Sequence, residues 1–408
     1  MTAPAVTPPT TTEDLARRFS TFQVWLQGDP QAPLDAWGQL RSAGPLLHSD
    51  EFGGYWIATR YEDIESIARR PEVFVNQKNL IPWRDSLGGG ARLIPLELDG
   101  EHHRVWRQAL ADSFSPGTVN HFTPAIRTAA VELIDAVAEK GSCDFVSAIA
   151  GALPAEAFLA NFGVPRERLQ SLLDFKNWLV REGLPNARTN EDVQDANRDI
   201  LAFFDSQVQE RAATGTDGHD VISNLLRARI DGQPIPREDI VNACYVTMMA
   251  SLDTTTSVLS LSWARLATRP DLQKAAADPE QRLRLMEELI RHEPVLTTAR
   301  LVAQETTLGG VRLEPGEMVL MSWGMAGLDP ETYDRPDEID LRRTVTRHLA
   351  FGVGPHRCLG MHLARRIIAI TMEEWHARIP SYRITAGTGP VAHYSPVRGL
   401  LTLPLTFG

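Results

Sequence analysis

Cysteine is scarce in this chain. Cys143, Cys244 and Cys358 are the three among 408 residues, too few and too scattered for a disulfide framework or a closed cysteine-rich zinc site. A reducing compartment is expected, and each cysteine has to be weighed alone. Positive charge is also in deficit. The chain carries 41 Lys and Arg against 52 Asp and Glu, a formal net charge of −11, which argues against nucleic acid or an anionic membrane as partner. The opening residues MTAPAVTPPTTTEDL hold no basic segment followed by an apolar run, so no secretory signal or membrane anchor is expected and the cytoplasm is the expected location. The longest apolar stretch, residues 240–264, is interrupted by Asn242, Asp253 and several Ser and Thr. It reads as a buried helix of a soluble protein, not a membrane span.

What is present is an ordinary globular composition, 43% hydrophobic and 23% charged, in a chain long enough to enclose a large cofactor. Residues 1–12, rich in Thr and Pro, offer little apolar surface and are expected to be a flexible lead-in, with residues 13–408 forming one domain. The run PLLHSDEFGGYWIATRYEDI from Pro45 places two short apolar segments around Gly53-Gly54, which predicts a hairpin closed by a two-residue glycine turn. Helical periods follow, over residues 121–140 closing at Gly141 and over residues 199–213 before Gly215. Beyond residue 379, YRIT and VRGLLTLPLTF return to short strands. The expected fold is mainly α with a small β-rich flank.

Residues 351–360 read FGVGPHRCLG and feed the helical segment MHLARRIIAITMEEWHARI, so Cys358 stands beside a helix N-terminus. Free backbone N–H groups and the positive end of the helix dipole favour a thiolate, the form that binds metal. Gly352, Gly354 and Gly360 allow the backbone to pass close to a flat ligand. Two other readings compete: an inert buried cysteine, which suits Cys143 and Cys244, and zinc held by His356, Cys358 and His362. The pattern Phe-x-x-Gly-x-His-x-Cys-x-Gly decides for Cys358, because it resembles the haem-binding signature of the cytochrome P450 family at every defined position.

Other segments resemble the same family. Glu288 and Arg291 in EELIR share a helix face and resemble its Glu-x-x-Arg pair, a structural element completed by Arg342 or Arg343 from the segment after Asp329. The helix MMASLDTTT resembles the oxygen-activating helix, with Asp253 and Thr254 at the acid–alcohol pair. A helical Thr ordinarily only bonds back four residues, here to Ala250. His103 and Arg107 in DGEHHRVWR, with Arg300 and His356, resemble the groups that pair with haem propionates, whose charge is costly to bury alone. The C-terminal half looks most like the bacterial camphor-hydroxylase branch.

The resemblance implies haem b, with Cys358 as the iron ligand and Asp253 and Thr254 delivering protons for dioxygen cleavage. It further implies a two-iron two-sulfur ferredoxin and an NAD(P)H-dependent reductase as electron source, docked near Arg104, Arg107, Arg347, Arg357 and Arg365. Substrate would meet residues 77–98, Val246, Met249, Ala250, Val295, Leu296, Thr297 and residues 395–397, Val397 among them. These are mostly apolar and favour a compact neutral molecule such as a terpenoid, an alicyclic or a small aromatic ether, hydroxylated or O-dealkylated. Arg92 would instead anchor a carboxylate. The alternatives are a peroxide-driven or dehydrating enzyme of the same fold, and a haem protein that binds a ligand without turnover.

Overall fold

A computed structural model describes residues 11–21, 30–83, 92–178, 189–394 and 396–408. Its axis is the 31-residue helix Arg237–Ala267, about 46 Å long at 1.5 Å per residue. Pro236 precedes it, Glu238 and Asp239 occupy its first turn, and its buried residues are spread around its whole circumference, so it forms the centre of the body and not a surface. Some of its polar groups are satisfied within the helix and one from outside it. Thr247 and Thr256 donate to the carbonyls of Ala243 and Leu252, while Asn242 donates to the Arg92 carbonyl and accepts from the Ile94 N–H, each at 2.9 Å. Among the described residues no helix is long and apolar enough to cross a membrane.

Several elements begin earlier than hydrophobic period alone suggests, because short polar signals set their starts. The helix expected from residue 121 spans Pro116–Ala138, opened by the Ser115 hydroxyl accepting from the Thr118 N–H and by Pro116 in the first turn. The helix expected from residue 199 spans Asn190–Thr214, where Thr189 and Asp192 form a reciprocal capping box. Thr11 caps the helix Thr12–Arg18 through the Asp14 N–H, so the expected lead-in overlaps the start of a helix; residues 1–10 lie outside the described residues.

The largest sheet has five strands in the order Leu46–Ser49, Tyr55–Ala58, Met318–Ser322, Thr297–Val302, Phe74–Val75. Its first two strands pair antiparallel, Ser49 opposite Tyr55. The connection is therefore five residues, 50–54, and not the two-residue turn expected. Phe52, Gly53 and Gly54 all carry positive φ there, so the pair of glycines serves a longer loop. Met318–Ser322 joins distant parts of the chain, running parallel to Tyr55–Ala58 and antiparallel to Thr297–Val302. The C-terminal strands Tyr382–Ile384 and Pro404–Phe407 pair with each other, and the latter also with Ser142–Asp144. Arg398–Thr402 pairs with Val391–Tyr394. A single bridge between Leu296 and Val397 ties this flank to the strand that carries Arg300.

Candidate functional site

The loop before the helix Met361–Arg378 folds on itself. The Cys358 N–H donates to the Phe351 carbonyl at 2.7 Å, and the Arg357 N–H to the Gly354 carbonyl at 3.1 Å. Gly354 has φ +75°, and a Cβ there would stand 2.4 Å from the Ala68 carbonyl oxygen, so packing alone demands glycine. Gly360 differs, since its φ is ordinary and a Cβ would meet nothing within 4 Å. The fold leaves open space beside it, and a flat ligand can approach the backbone there. Cys358 is itself exposed, two residues from this open space at Gly360.

Burial pushes the Cys358 thiol up, and this outweighs the Gly360 N–H and the positive fields of Arg107, Arg365 and Arg357, which act in the other direction. The electrostatic help is present but smaller than the cost of burying the charge, and a coordinating metal deprotonates a thiol outright.

Four cationic or donor groups named from the sequence sit together. His103 and His356 stack with ring centroids 3.8 Å apart. Burial, His356 and Arg107 pull the His103 imidazole down to about 3. His356 Nε2 stands 3.4 Å from Asp99 Oδ1 but makes no well-formed hydrogen bond. Arg107 donates to the Arg357 carbonyl at 2.7 Å. Arg300 is buried, donates only to the Ala299 carbonyl among the described residues, and is lowered to about 10 by burial despite Asp99. A buried guanidinium beside so few acceptors suits an incoming carboxylate.

Two residues of this cluster were missed in the sequence. Thr298 precedes Arg300 by two on one strand, so both side chains project from the same face, and its buried hydroxyl has no hydrogen-bond partner. Asp99 accepts from the backbone and side chain of Asn76 at 2.9 and 3.3 Å. Burial pushes its carboxyl up, but His356 and both Asn76 donors outweigh this and hold it below its ordinary value. Nothing local in the sequence marked either Thr298, whose signal is the unpaired buried hydroxyl itself, or Asp99. An exposed sulfur, open space at Gly360, and the under-satisfied Arg300, Thr298 and His356 together fit an iron porphyrin with two propionates. Among the described residues no group of three His, Cys, Asp or Glu side chains is placed to hold a bare metal ion.

On the central helix, Ala250 is exposed and Met249, Ser251 and Thr254 are half-buried, whereas Met248, Leu252 and Asp253 are buried. Ala250 and Thr254 are one turn apart and share a face. The Thr254 hydroxyl donates to the Ala250 carbonyl at 2.7 Å, as the two buried threonines do to theirs, but it alone of the three is accessible. Asp253 is buried as a residue and makes no hydrogen bond or ion pair among the described residues.

Of the expected substrate contacts, Val246 and Val295 are buried, and Leu296 and Val397 are half-buried and bridged to each other. Val295, Leu296 and Thr297 also border a small recess with Trp37, Tyr394 and Arg398. Residues 84–91 and Ser395 lie outside the described residues. The five arginines are unequal. Arg104 pairs with Glu101, Arg347 with Glu65, and Arg365 with Glu287, and Arg107 is half-buried with its donor on the Arg357 carbonyl, which leaves Arg357 as the exposed one without a carboxylate partner among the described residues.

A family model described as cytochrome P450 matches residues 158–278 and 284–374. The relative named probable cytochrome P450 127A1, from Sinorhizobium fredii, is 32% identical over 405 residues, 96% of this chain and 95% of its own length. Cytochrome P450-terp of Pseudomonas sp is 28% identical, with 97% of each chain covered. The crystal structure of CYP101J2 superposes with a TM-score of 0.85 at 27% identity, covering 99% of this chain and 100% of that one. These findings agree with the resemblance carried by the cysteine loop. The chain belongs to the cytochrome P450 family and is a haem b oxidoreductase of the monooxygenase type.

Proposed function

We propose that the protein hydroxylates or O-dealkylates a compact, mostly apolar molecule such as a terpenoid, taking two electrons from a two-iron two-sulfur ferredoxin supplied by an NAD(P)H-dependent reductase. Haem b, when bound, supplies the activation of dioxygen and the insertion of one of its atoms into substrate. Cys358 holds the iron, and the observation that carries this is an exposed sulfur beside the open space at Gly360, in a loop that turns its N–H onto the Phe351 carbonyl. Arg300, Thr298, His103, His356 and Arg107 hold the propionates.

Thr254 has a reachable hydroxyl on the central helix, on the face of the exposed Ala250, and its own proton is engaged by the Ala250 carbonyl. Its oxygen lone pairs remain free to accept from a water and so to order it. Asp253, buried beside it, receives protons from the solvent side and returns them towards that water. Apolar contacts from Met249, Ala250, Leu296 and Val397 favour a neutral substrate and exclude bulk water. The docking site for ferredoxin centres on Arg357, next to the ligand residue.

The test is Thr254→Ala with a surrogate ferredoxin system and a substrate found by its spectral shift. Product formed per NADH consumed is expected to fall about tenfold while NADH oxidation continues. Unchanged coupling would remove the proton-delivery role. Absence of any substrate-dependent NADH oxidation in the wild type would favour ligand binding without turnover.

A further inference from the structure

Glu287 and Glu288 are adjacent, yet their carboxylates serve different parts of the molecule. Glu287 turns to the cysteine side. Its Oε1 accepts from Arg365 Nε at 2.6 Å, and its Oε2 from Arg365 Nη2 at 2.8 Å and from His348 Nε2 at 3.0 Å. Burial pushes this carboxyl up, but His348 and Arg365 more than offset it and hold the group at about 2. Glu287 is therefore a fixed anion.

Both of its partners lead to the cysteine loop. His348 is almost fully buried, and its Nδ1 accepts from the Ala350 N–H at 3.3 Å. With Nδ1 accepting, a neutral ring carries its proton on Nε2 and donates to Glu287. The Arg365 guanidinium lies over the Phe351 ring, 4.5 Å from its centroid, and the Phe351 carbonyl accepts the Cys358 N–H at 2.7 Å. One carboxylate thus fixes the start of the loop twice, at Ala350 and at Phe351, and the second route is one hydrogen bond from the cysteine backbone.

We infer that Glu287 is a positioning residue for Cys358, acting through Arg365, Phe351 and His348 to hold the loop so that the sulfur keeps its direction. This rests on the reading of Cys358 as iron ligand. It also reassigns Arg365: a guanidinium held at both carboxylate oxygens and stacked on a ring belongs to the loop's support, not to a free docking charge.

The experiment follows the reduced, carbon-monoxide-bound holoprotein in dilute urea as its thiolate-type Soret band converts to the blue-shifted band of a protein that has lost thiolate ligation. Glu287→Gln removes the anion at constant shape. Arg365→Lys keeps the charge but loses the two-pronged grip and the stacking. Glu374→Gln is the control, since Glu374 accepts from Arg127 and Arg378 at the far end of the helix that carries Arg365. Conversion is expected to be about tenfold faster in Glu287→Gln, faster to a lesser degree in Arg365→Lys, and unchanged in Glu374→Gln. Equal acceleration in all three, or in none, overturns the inference. Should Glu287→Gln yield no folded protein, Arg365→Lys against the control carries the same decision. A wild-type protein without the thiolate-type band removes the Cys358 reading itself, and this inference with it.

Discussion

Arg291 grips both carboxylate oxygens of Glu288, donating from Nε and Nη2 at 2.8 Å each, in a pair that is almost wholly buried. The same guanidinium donates to the carbonyls of Gly327, Pro336 and Glu338, and Glu288 also accepts from Arg343 Nε and the Asp340 N–H. Arg343 is therefore the third member, while Arg342 is exposed at the surface. The network clamps the helix Pro279–His292 to the irregular segment that precedes the cysteine loop. Replacing Arg291 with Met leaves several buried acceptors without donors. A loss of about 3–5 kcal/mol in unfolding free energy is expected, measured by urea titration of the holoprotein; a change of under about 0.5 kcal/mol, the size of an ordinary surface substitution, contradicts the clamp.

The same carboxylates make stability depend on pH. In Glu287 burial acts to raise the group, yet His348 and Arg365 win and bring it from 4.5 to about 2. Glu288 is also lowered, with burial opposed by Arg291, Arg343 and the Asp340 N–H. A depressed folded-state value means that the unfolded chain binds the proton first, so the contribution is complete above about 4.5 and is lost as pH falls towards 2. Denaturation midpoints taken across that window are expected to fall steeply for the wild type and less steeply for Glu287→Gln. Parallel profiles would show that Glu287 is not a stabilising anion.

The cysteine loop and the Glu288–Arg291 pair were legible because each is a short, local pattern whose chemistry needs those residues at that spacing. Arg300 was legible only through its likeness to the family, and Thr298 not at all, since a lone Thr in a strand carries no signal until its hydroxyl is seen buried and unpaired. Charge was read less well than fold. Arg104, Arg347 and Arg365 look free in one dimension, but their partners Glu101, Glu65 and Glu287 remove most of that freedom. Helix starts at Pro116 and Asn190 were missed because capping is polar and lies outside the apolar period.

On the proposed role as a propionate partner, Arg300 separates haem affinity from chain stability. A buried guanidinium with few acceptors costs free energy in the apoprotein and is repaid by a propionate. Arg300→Met is expected to leave the apoprotein at least as stable, while haem transfer to an excess of apomyoglobin becomes about tenfold faster. A less stable apoprotein with unchanged transfer would make Arg300 a structural residue.

If Arg357 is the free charge of the docking face, Arg357→Gln is expected to raise the apparent KM for a surrogate ferredoxin several-fold at low salt, with kcat nearly unchanged. Arg104→Gln, whose charge is already met by Glu101, is expected to change it little. Rising salt should erase the difference. Equal effects of the two variants, or a KM that ignores salt, would contradict this placement.

The central claim is that Cys358 ligates the haem iron, and the absorbance of the reduced protein under carbon monoxide tests it most directly. The wild type is expected to give the red-shifted Soret band from which the family takes its number, and Cys358→His the band of an imidazole-ligated haem. A wild-type spectrum already of the imidazole type, or a Cys358→His spectrum identical to the wild type, would contradict the account.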